Sequence, residues 1–195
     1  MIDTSQPIPP DEERILISQL AQNPNAFRQL YQHYFPRVFA YVAYRVGTKQ
    51  EAEDLTATTF MKVIEAISRF EYRRDRSFAL WIFRIAHNEV QQFYRLRQRR
   101  PTVLLDDVPE IASVDFLPDE AFARKEQFVR LQHMLATLTP RRQEIISLRF
   151  FAGLRNQEIA AVLALDERTV ASHLCRALED LKQLFESEEA AYEPE

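Results

Sequence analysis

Phe70–Arg100 reads FEYRRDRSFALWIFRIAHNEVQQFYRLRQRR. The stretch holds the chain's only Trp, six further aromatic residues and eight arginines. Arginines alone describe a solvated face, and rings alone describe a core. Interleaved, they describe a surface that grips a phosphate backbone and stacks or pockets unpaired bases. Ser77 suits an N-cap, because its hydroxyl can accept from a free N–H at a helix start. Phe78, Trp81, Ile82, Ile85, Ala86, Glu89 and Phe93 then recur at steps of three and four, the helical period. Trp81, Ile82, Ile85 and Ala86 are expected in a core. Packing leaves over Arg84, His87, Asn88, Gln91, Gln92 and Arg95, a long-armed polar face with Glu89 as its one acid. Arg95, Arg97, Arg99 and Arg100 crowd its end. A helix C-terminus favours a cation or two, so four within six residues exceed that need.

The loop before this helix, Glu71–Arg76, carries Arg73, Arg74 and Arg76 between the shoulders Phe70, Tyr72 and Phe78. Two readings stand side by side. One is a clamp for a flipped base, since every base offers a face to stack on. The other is an ordinary helix–helix turn with buried aromatic edges.

The 195 residues permit one or two small domains. With two glycines, Gly47 and Gly153, and few β-branched runs, an all-α fold is expected. No apolar run is long enough to cross a membrane and no signal peptide is evident, so a cytoplasmic location is expected. One cysteine, Cys175, excludes internal disulfides and a Cys-based zinc site. The net charge of −4 conceals an alternation. Residues 27–100 carry fourteen bases against seven acids, and 124–185 ten against seven. Between them, 101–123 holds six acids and no base. Two basic blocks about an acidic strip point to two nucleic-acid-facing domains.

In chain order, Asp11–Ala21 is an expected helix with acids at its positive end. Asn23 or Asn25 caps the next, whose stripe runs Phe27, Leu30, Tyr31, Tyr34, Phe35, Val38, Phe39, Val42 and Val46. Pro36 inside it argues for a kink or break. Thr48 and Glu51 make a capping box for a helix over Lys49–Phe70. Its buried stripe is Ala52, Leu55, Phe60, Val63, Ile64 and Ile67. Its other face presents Glu53, Asp54, Thr56, Thr59 and Lys62, either to a partner helix or to water. Residues 101–121, with Pro101, Pro109 and Pro118, form a linker. Its Leu104, Leu105, Ile111 and Phe116 leave open whether it lies in a partner's groove or is a solvated tether.

The second domain, 122–195, begins with an amphipathic helix over Phe122–Leu138, with Phe128, Leu131, Leu135 and Leu138 inward. Thr139 caps and Pro140 opens the next helix, which stops at Ala152-Gly153. A short helix over Asn156–Ala164 precedes Asp166, an N-cap, and a long helix from Glu167 with Val170, Leu174, Leu178, Leu181 and Phe185 inward. Two helices, a three-residue turn and a small residue, Ala160, at their crossing are the pattern of a helix-turn-helix. The second helix would enter a major groove by its N-terminal end, with Glu167, Arg168, Ala171, Ser172 and Arg176 facing bases and phosphates. The fold is thus read as all-α: a helical domain over 1–100, an acidic proline-containing linker, and a helix-turn-helix domain with an acidic tail.

Three stretches resemble the compact bacterial sigma factors called extracytoplasmic-function (ECF) sigma factors. They are AEDLTATTFMKV at 52–63, FALWIFRIAHNEV at 78–90 and LTPRRQEIISLRFFAGLRNQEIAAVLALDERTVASHL at 138–174. The resemblance covers roughly 26–100 and 131–185. It implies a transcription initiation factor, whose first domain binds core RNA polymerase through Glu53, Asp54, Thr56, Thr59 and Lys62. The same domain would open the −10 element with Phe70, Tyr72, Arg73, Arg74, Arg76, Phe78, Arg84, His87, Asn88, Gln91 and Arg95. The second domain would read the −35 element with Arg155, Glu167, Arg168, Ala171, Ser172 and Arg176. The linker resembles the segment that threads the polymerase's RNA path, and an anti-sigma factor is an implied partner.

The chain departs from the family where Ala164 replaces the usual turn glycine. It departs again where Ala171, His173 and Leu178 stand at positions often basic. Weak binding to free DNA is therefore expected, with polymerase supplying much of the affinity. No catalytic constellation, cofactor motif or metal-ligand spacing occurs, so neither an enzyme, a small-molecule substrate, a metal nor membrane insertion is expected. Two other readings remain: a helix-turn-helix regulator that binds DNA alone, and a degenerate sigma-like interaction module.

Overall fold

The computed structural model describes residues 8–20, 23–46, 48–72, 77–99 and 133–192. Among the described residues the regular structure is helical throughout, in two compact units. The expected linker, 101–121, lies outside the described residues, as do Phe128 and Leu131 of the expected helix that follows it.

The first unit comprises α1 (Pro10–Gln19), α2 (Pro24–Val46), α3 (Lys49–Ala66) and α4 (Ser77–Arg99). Asp11, Glu12 and Glu13 fill the first turn of α1, where the dipole favours acids. Asn23 caps α2, its Oδ1 accepting the N–H of Asn25 at 3.0 Å. The expected break at Pro36 does not occur, and α2 runs through it. Pro36 is exposed, so the carbonyl it leaves unpaired sits on the solvent side. Leu30, Tyr34, Val38, Tyr41, Val42 and Val46 are buried, as are Phe78, Ile82, Phe83, Ala86 and Val90 of α4. Edge-on ring pairs join the two helices, Tyr34 to Phe78 at 5.3 Å and Tyr41 to Phe83 at 6.0 Å. Burial of each such side chain contributes about 1.5–3 kcal/mol. Trp81 and Ile85, expected in the core, are only half-buried. The inward stripe of α4 passes instead through Phe83 and Val90.

On α3 the inward face is Ala52, Thr56, Thr59, Phe60 and Val63. Ile64, expected inside, is 53% exposed, because α3 is rotated to turn its threonines inward. The Thr59 hydroxyl donates to the Leu55 carbonyl at 2.8 Å, which satisfies it without water. α3 ends at Ala66, short of the expected Phe70; a 3-10 turn, Ile67–Arg69, follows, and Phe70 has extended backbone.

In the second unit a helical stretch at 133–136 precedes α5 (Pro140–Phe150), α6 (Asn156–Leu163) and α7 (Glu167–Tyr192). Leu135 and Leu138 are buried. Thr139 stands at the N-cap of α5, yet its side chain makes no capping bond; Pro140 opens the helix. Gly153, at φ 64°, turns the chain out of α5. Ala164 ends α6 with φ 53° and ψ 46°, the left-handed conformation that glycine adopts without strain. The turn is closed by the Leu165 N–H donating to the Ala160 carbonyl at 2.9 Å. Asp166 caps α7, accepting the Arg168 N–H at 2.8 Å. Both α5 and α6 pack on α7. Val170 and Ala177 of α7 are buried, with Leu174, Leu181 and Leu184 half-buried. Leu178 and Phe185, expected inward, are 43% and 45% exposed. They lie one position round from the 3.6-residue stripe that faces α5 and α6.

Candidate nucleic-acid interface

α4 carries the first candidate surface. Arg84, Asn88 and Arg95 are exposed, and His87 and Gln91 are half-buried. Their spacing of three and four places them along one side of the helix. His87 is seated from beneath: its Nδ1 lies 3.4 Å from the hydroxyl of Tyr41, which is fully buried. Tyr41 had no signal of its own within the α2 stripe, although it continues the apolar rows of Tyr34 and Val38. Glu89, the one acid of α4, is turned inward and buried, with its Oε1 2.5 Å from Lys62 Nζ. The exposed part of this face therefore carries no carboxylate.

The aromatic shoulders belong to the core. Phe78 is 2% exposed, enclosed by Tyr34, Phe70 at 5.5 Å and Trp81 at 5.7 Å. Its expected role in stacking on a base is corrected, since no ring face is left uncovered. Phe70 is half-buried and lies 4.8 Å from Trp81, and Tyr72 is half-buried. After Tyr72, Arg73, Arg74 and Arg76 lie outside the described residues.

The candidate docking face of α3 also changes. Glu53 and Asp54 are exposed, but Thr56 and Thr59 are fully buried and offer nothing to a partner. Lys62 is half-buried and engaged with Glu89. What α3 does present outward is Asp54, Ala57, Met61, Ile64 and Glu65, with Met61 61% exposed. Met61 stands outside the expected inward stripe, and Ile64, expected inside, joins it on the exposed side.

In the second unit, Arg155, Glu167, Arg168, Ala171, Ser172 and Arg176 are all exposed. The Glu158 carboxylate accepts the Arg155 N–H at 2.6 Å and fixes the entry to α6. Val170, fully buried, anchors the start of α7 and leaves its neighbours Glu167, Arg168, Ala171 and Ser172 exposed. Thr169, exposed beside Arg168, belongs to the same surface and was passed over.

His33 is buried next to Tyr34, with its Nε2 3.3 Å from an Arg37 nitrogen. Burial, and then the Arg37 charge, lower its pKa to about 4. It sits in the core as a neutral ring, away from the α4 face. Among the described residues no group of three His, Cys, Asp or Glu side chains is placed to hold a metal ion. No helix among them is long and apolar enough to cross a membrane.

Comparison with known proteins agrees with this two-part layout. The family Sigma-70 region 2 matches residues 30–100, and Sigma-70, region 4 matches residues 128–181. The ECF RNA polymerase sigma factor BldN of Streptomyces coelicolor is 32% identical over 165 residues, 85% of this chain. The match spans 62% of BldN's own length. RNA polymerase sigma factor CnrH of Cupriavidus metallidurans is 29% identical over 92% of this chain and 97% of its own. The structure of CnrH in complex with the cytosolic domain of CnrY superposes with a TM-score of 0.68 at 25% identity. It covers 91% of this chain and 99% of CnrH. The sigma factor RpoE of Bartonella quintana, bound to the anti-sigma factor NepR, shares the fold at TM-score 0.65 and 23% identity. It covers 82% of this chain and 96% of its own. With a Sigma-70 region 2 followed by a Sigma-70 region 4, and with a relative named an ECF sigma factor at 32% identity, the chain belongs to the ECF group of the sigma-70 family.

Proposed function

We propose that this protein binds core RNA polymerase, directs it to specific promoters and helps to melt the −10 element. The observation that carries the reading is the α4 surface: a row of Arg84, His87, Asn88, Gln91 and Arg95 whose helix has its single acid buried. Such a face attracts a strand's phosphates and offers amide and imidazole groups to bases that have lost their partners. Arg73, Arg74 and Arg76, which precede α4 in the sequence, would add charge to the same task. Asp54, Met61, Ile64 and Glu65 on α3 fit a helical partner in core polymerase, with an apolar centre and an acidic rim. The exposed row on α6 and α7 fits the −35 major groove, with Arg168 and Arg176 as its cations. We take 1–100, 101–121 and 122–195 as the two functional domains and their linker, and place the protein in the cytoplasm, where polymerase is. An anti-sigma factor is a further expected partner, by analogy with the fold neighbour RpoE and its anti-sigma factor NepR.

Reconstitution tests this reading. The chain is added to core polymerase and a promoter library, and initiation is mapped. Promoter-dependent initiation is expected. A footprint on DNA without core enzyme favours the stand-alone regulator, and neither result favours the interaction module.

A further inference from the structure

Lys62 belongs to the face that the family resemblance offers to polymerase. In the structure its amine crosses from α3 to α4 and lies 2.5 Å from the carboxylate of Glu89. Among the described residues neither side chain makes another hydrogen bond or ion pair. The environments differ: the Lys62 side chain is 43% exposed, that of Glu89 8%. A second ion pair joins the same two helices, Arg97 near the end of α4 to Glu51 near the start of α3, at 3.8 Å. Eleven residues separate Glu51 from Lys62, a span of about 16 Å along α3 at 1.5 Å per residue.

Glu89 follows Asn88 directly in sequence, so its buried carboxylate lies one position round the helix from the proposed strand-holding face. An unpaired carboxylate there would repel phosphate, and in a low-dielectric site that repulsion is poorly screened. Its burial removes it from contact but does not cancel its field. Lys62 cancels it, and because the amine comes from α3 it also fixes how α4 is presented relative to the α3 outer face.

We propose that Lys62 is a positioning residue for promoter opening, acting through Glu89: it masks the one acid of the DNA-facing helix and holds α4 against α3. Lys62 is then not a polymerase contact. The inference rests on the sigma-factor reading above and adds a residue role to it.

The test uses the full chain with core polymerase and a duplex promoter selected from the library. Lys62→Met, Glu89→Gln and the double variant are compared with the parent. Three quantities are measured: urea unfolding, affinity for core polymerase, and open complex formed per bound polymerase. Lys62→Met, which strands the Glu89 charge, lowers opening about tenfold while polymerase affinity stays within about twofold. Glu89→Gln opens at least as well as the parent, and adding it to Lys62→Met restores opening to within about threefold. A side chain that merely stabilises the fold would shift unfolding without this charge-specific rescue. The inference is overturned by a tenfold loss of polymerase affinity in Lys62→Met with opening per complex unchanged. Absence of rescue in the double variant overturns it too. Where Lys62→Met does not fold, Glu89→Gln decides: opening below half the parent's overturns the masking role, and parental or better opening supports it. A parent chain that fails to bind core polymerase overturns the sigma reading, and this inference with it, before any variant is compared.

Discussion

Phe78→Ala separates the two meanings an aromatic residue can have beside a loop proposed to meet DNA. The ring is 2% exposed and packs against Tyr34, Phe70 and Trp81. Truncating such a buried ring costs about 3–5 kcal/mol through lost transfer energy and the cavity left behind. A unit of this size has a total stability of roughly 5–13 kcal/mol, so the variant stands near the edge of folding. With a urea slope of about 1.5 kcal/mol/M, the unfolding midpoint falls by roughly 2–3 M. Trp81, the only Trp, lies 5.7 Å from the Phe78 ring, so its fluorescence reports on this cluster directly. A shift below about 0.5 M, under 1 kcal/mol, would refute the packing argument and return Phe78 to the list of base-stacking candidates. Phe78→Leu is the control. It keeps most of the buried area and is expected to stay folded and to support opening, whereas a stacking role would forfeit opening.

Three further outcomes are expected. Asn88→Ala and Arg84→Ala leave the unfolding midpoint within about 0.5 kcal/mol of the parent, as exposed sites do, but impair opening of a duplex promoter; normal initiation by Asn88→Ala would remove that face from the assignment. His33 has a folded pKa depressed to about 4 from an ordinary 6.5, so the stability it contributes is complete above pH 6.5 and is lost as pH falls through 4. The loss amounts to at most about 3 kcal/mol, and His33→Gln should flatten this part of the pH–stability curve in urea titrations. Ala164→Gly relieves roughly 1 kcal/mol of left-handed strain against about 0.5–1 kcal/mol of added chain entropy. Its thermal midpoint should therefore hold or rise slightly; a drop worth more than about 1 kcal/mol would contradict the strain argument.

Where a periodic apolar stripe met a clear cap, the sequence was enough. Asn23 and Asp166 cap as their side chains predict, and Gly153 turns the chain after α5. Legibility failed where faces had to be chosen by one residue. Ile64 and Phe185 are apolar at helical spacing yet face outward, while Thr56 and Thr59 are polar yet buried. A threonine in a helix can satisfy its hydroxyl on the preceding turn, as Thr59 does, and then behaves as a small core residue. The break expected at Pro36 fails for a related reason, because a proline on the solvent face of a packed helix leaves its lost bond to water. The pairing of Lys62 with Glu89, 27 residues apart, has no local signature at all. On the proposed DNA-facing side, Arg84, Asn88 and Arg95 are separable from the core by pattern alone. Phe78 was not, since an aromatic ring at a loop edge reads the same whether it is packed or offered.

The account stands on one claim, that the α4 face holds a separated promoter strand while polymerase is bound. The most direct measurement places 2-aminopurine in the −10 element of a duplex promoter and follows its fluorescence. With core polymerase and this protein together the signal should rise, and with either alone it should stay at the duplex level. A flat signal from the assembled complex, on a promoter from which that complex is shown to initiate, would contradict the claim.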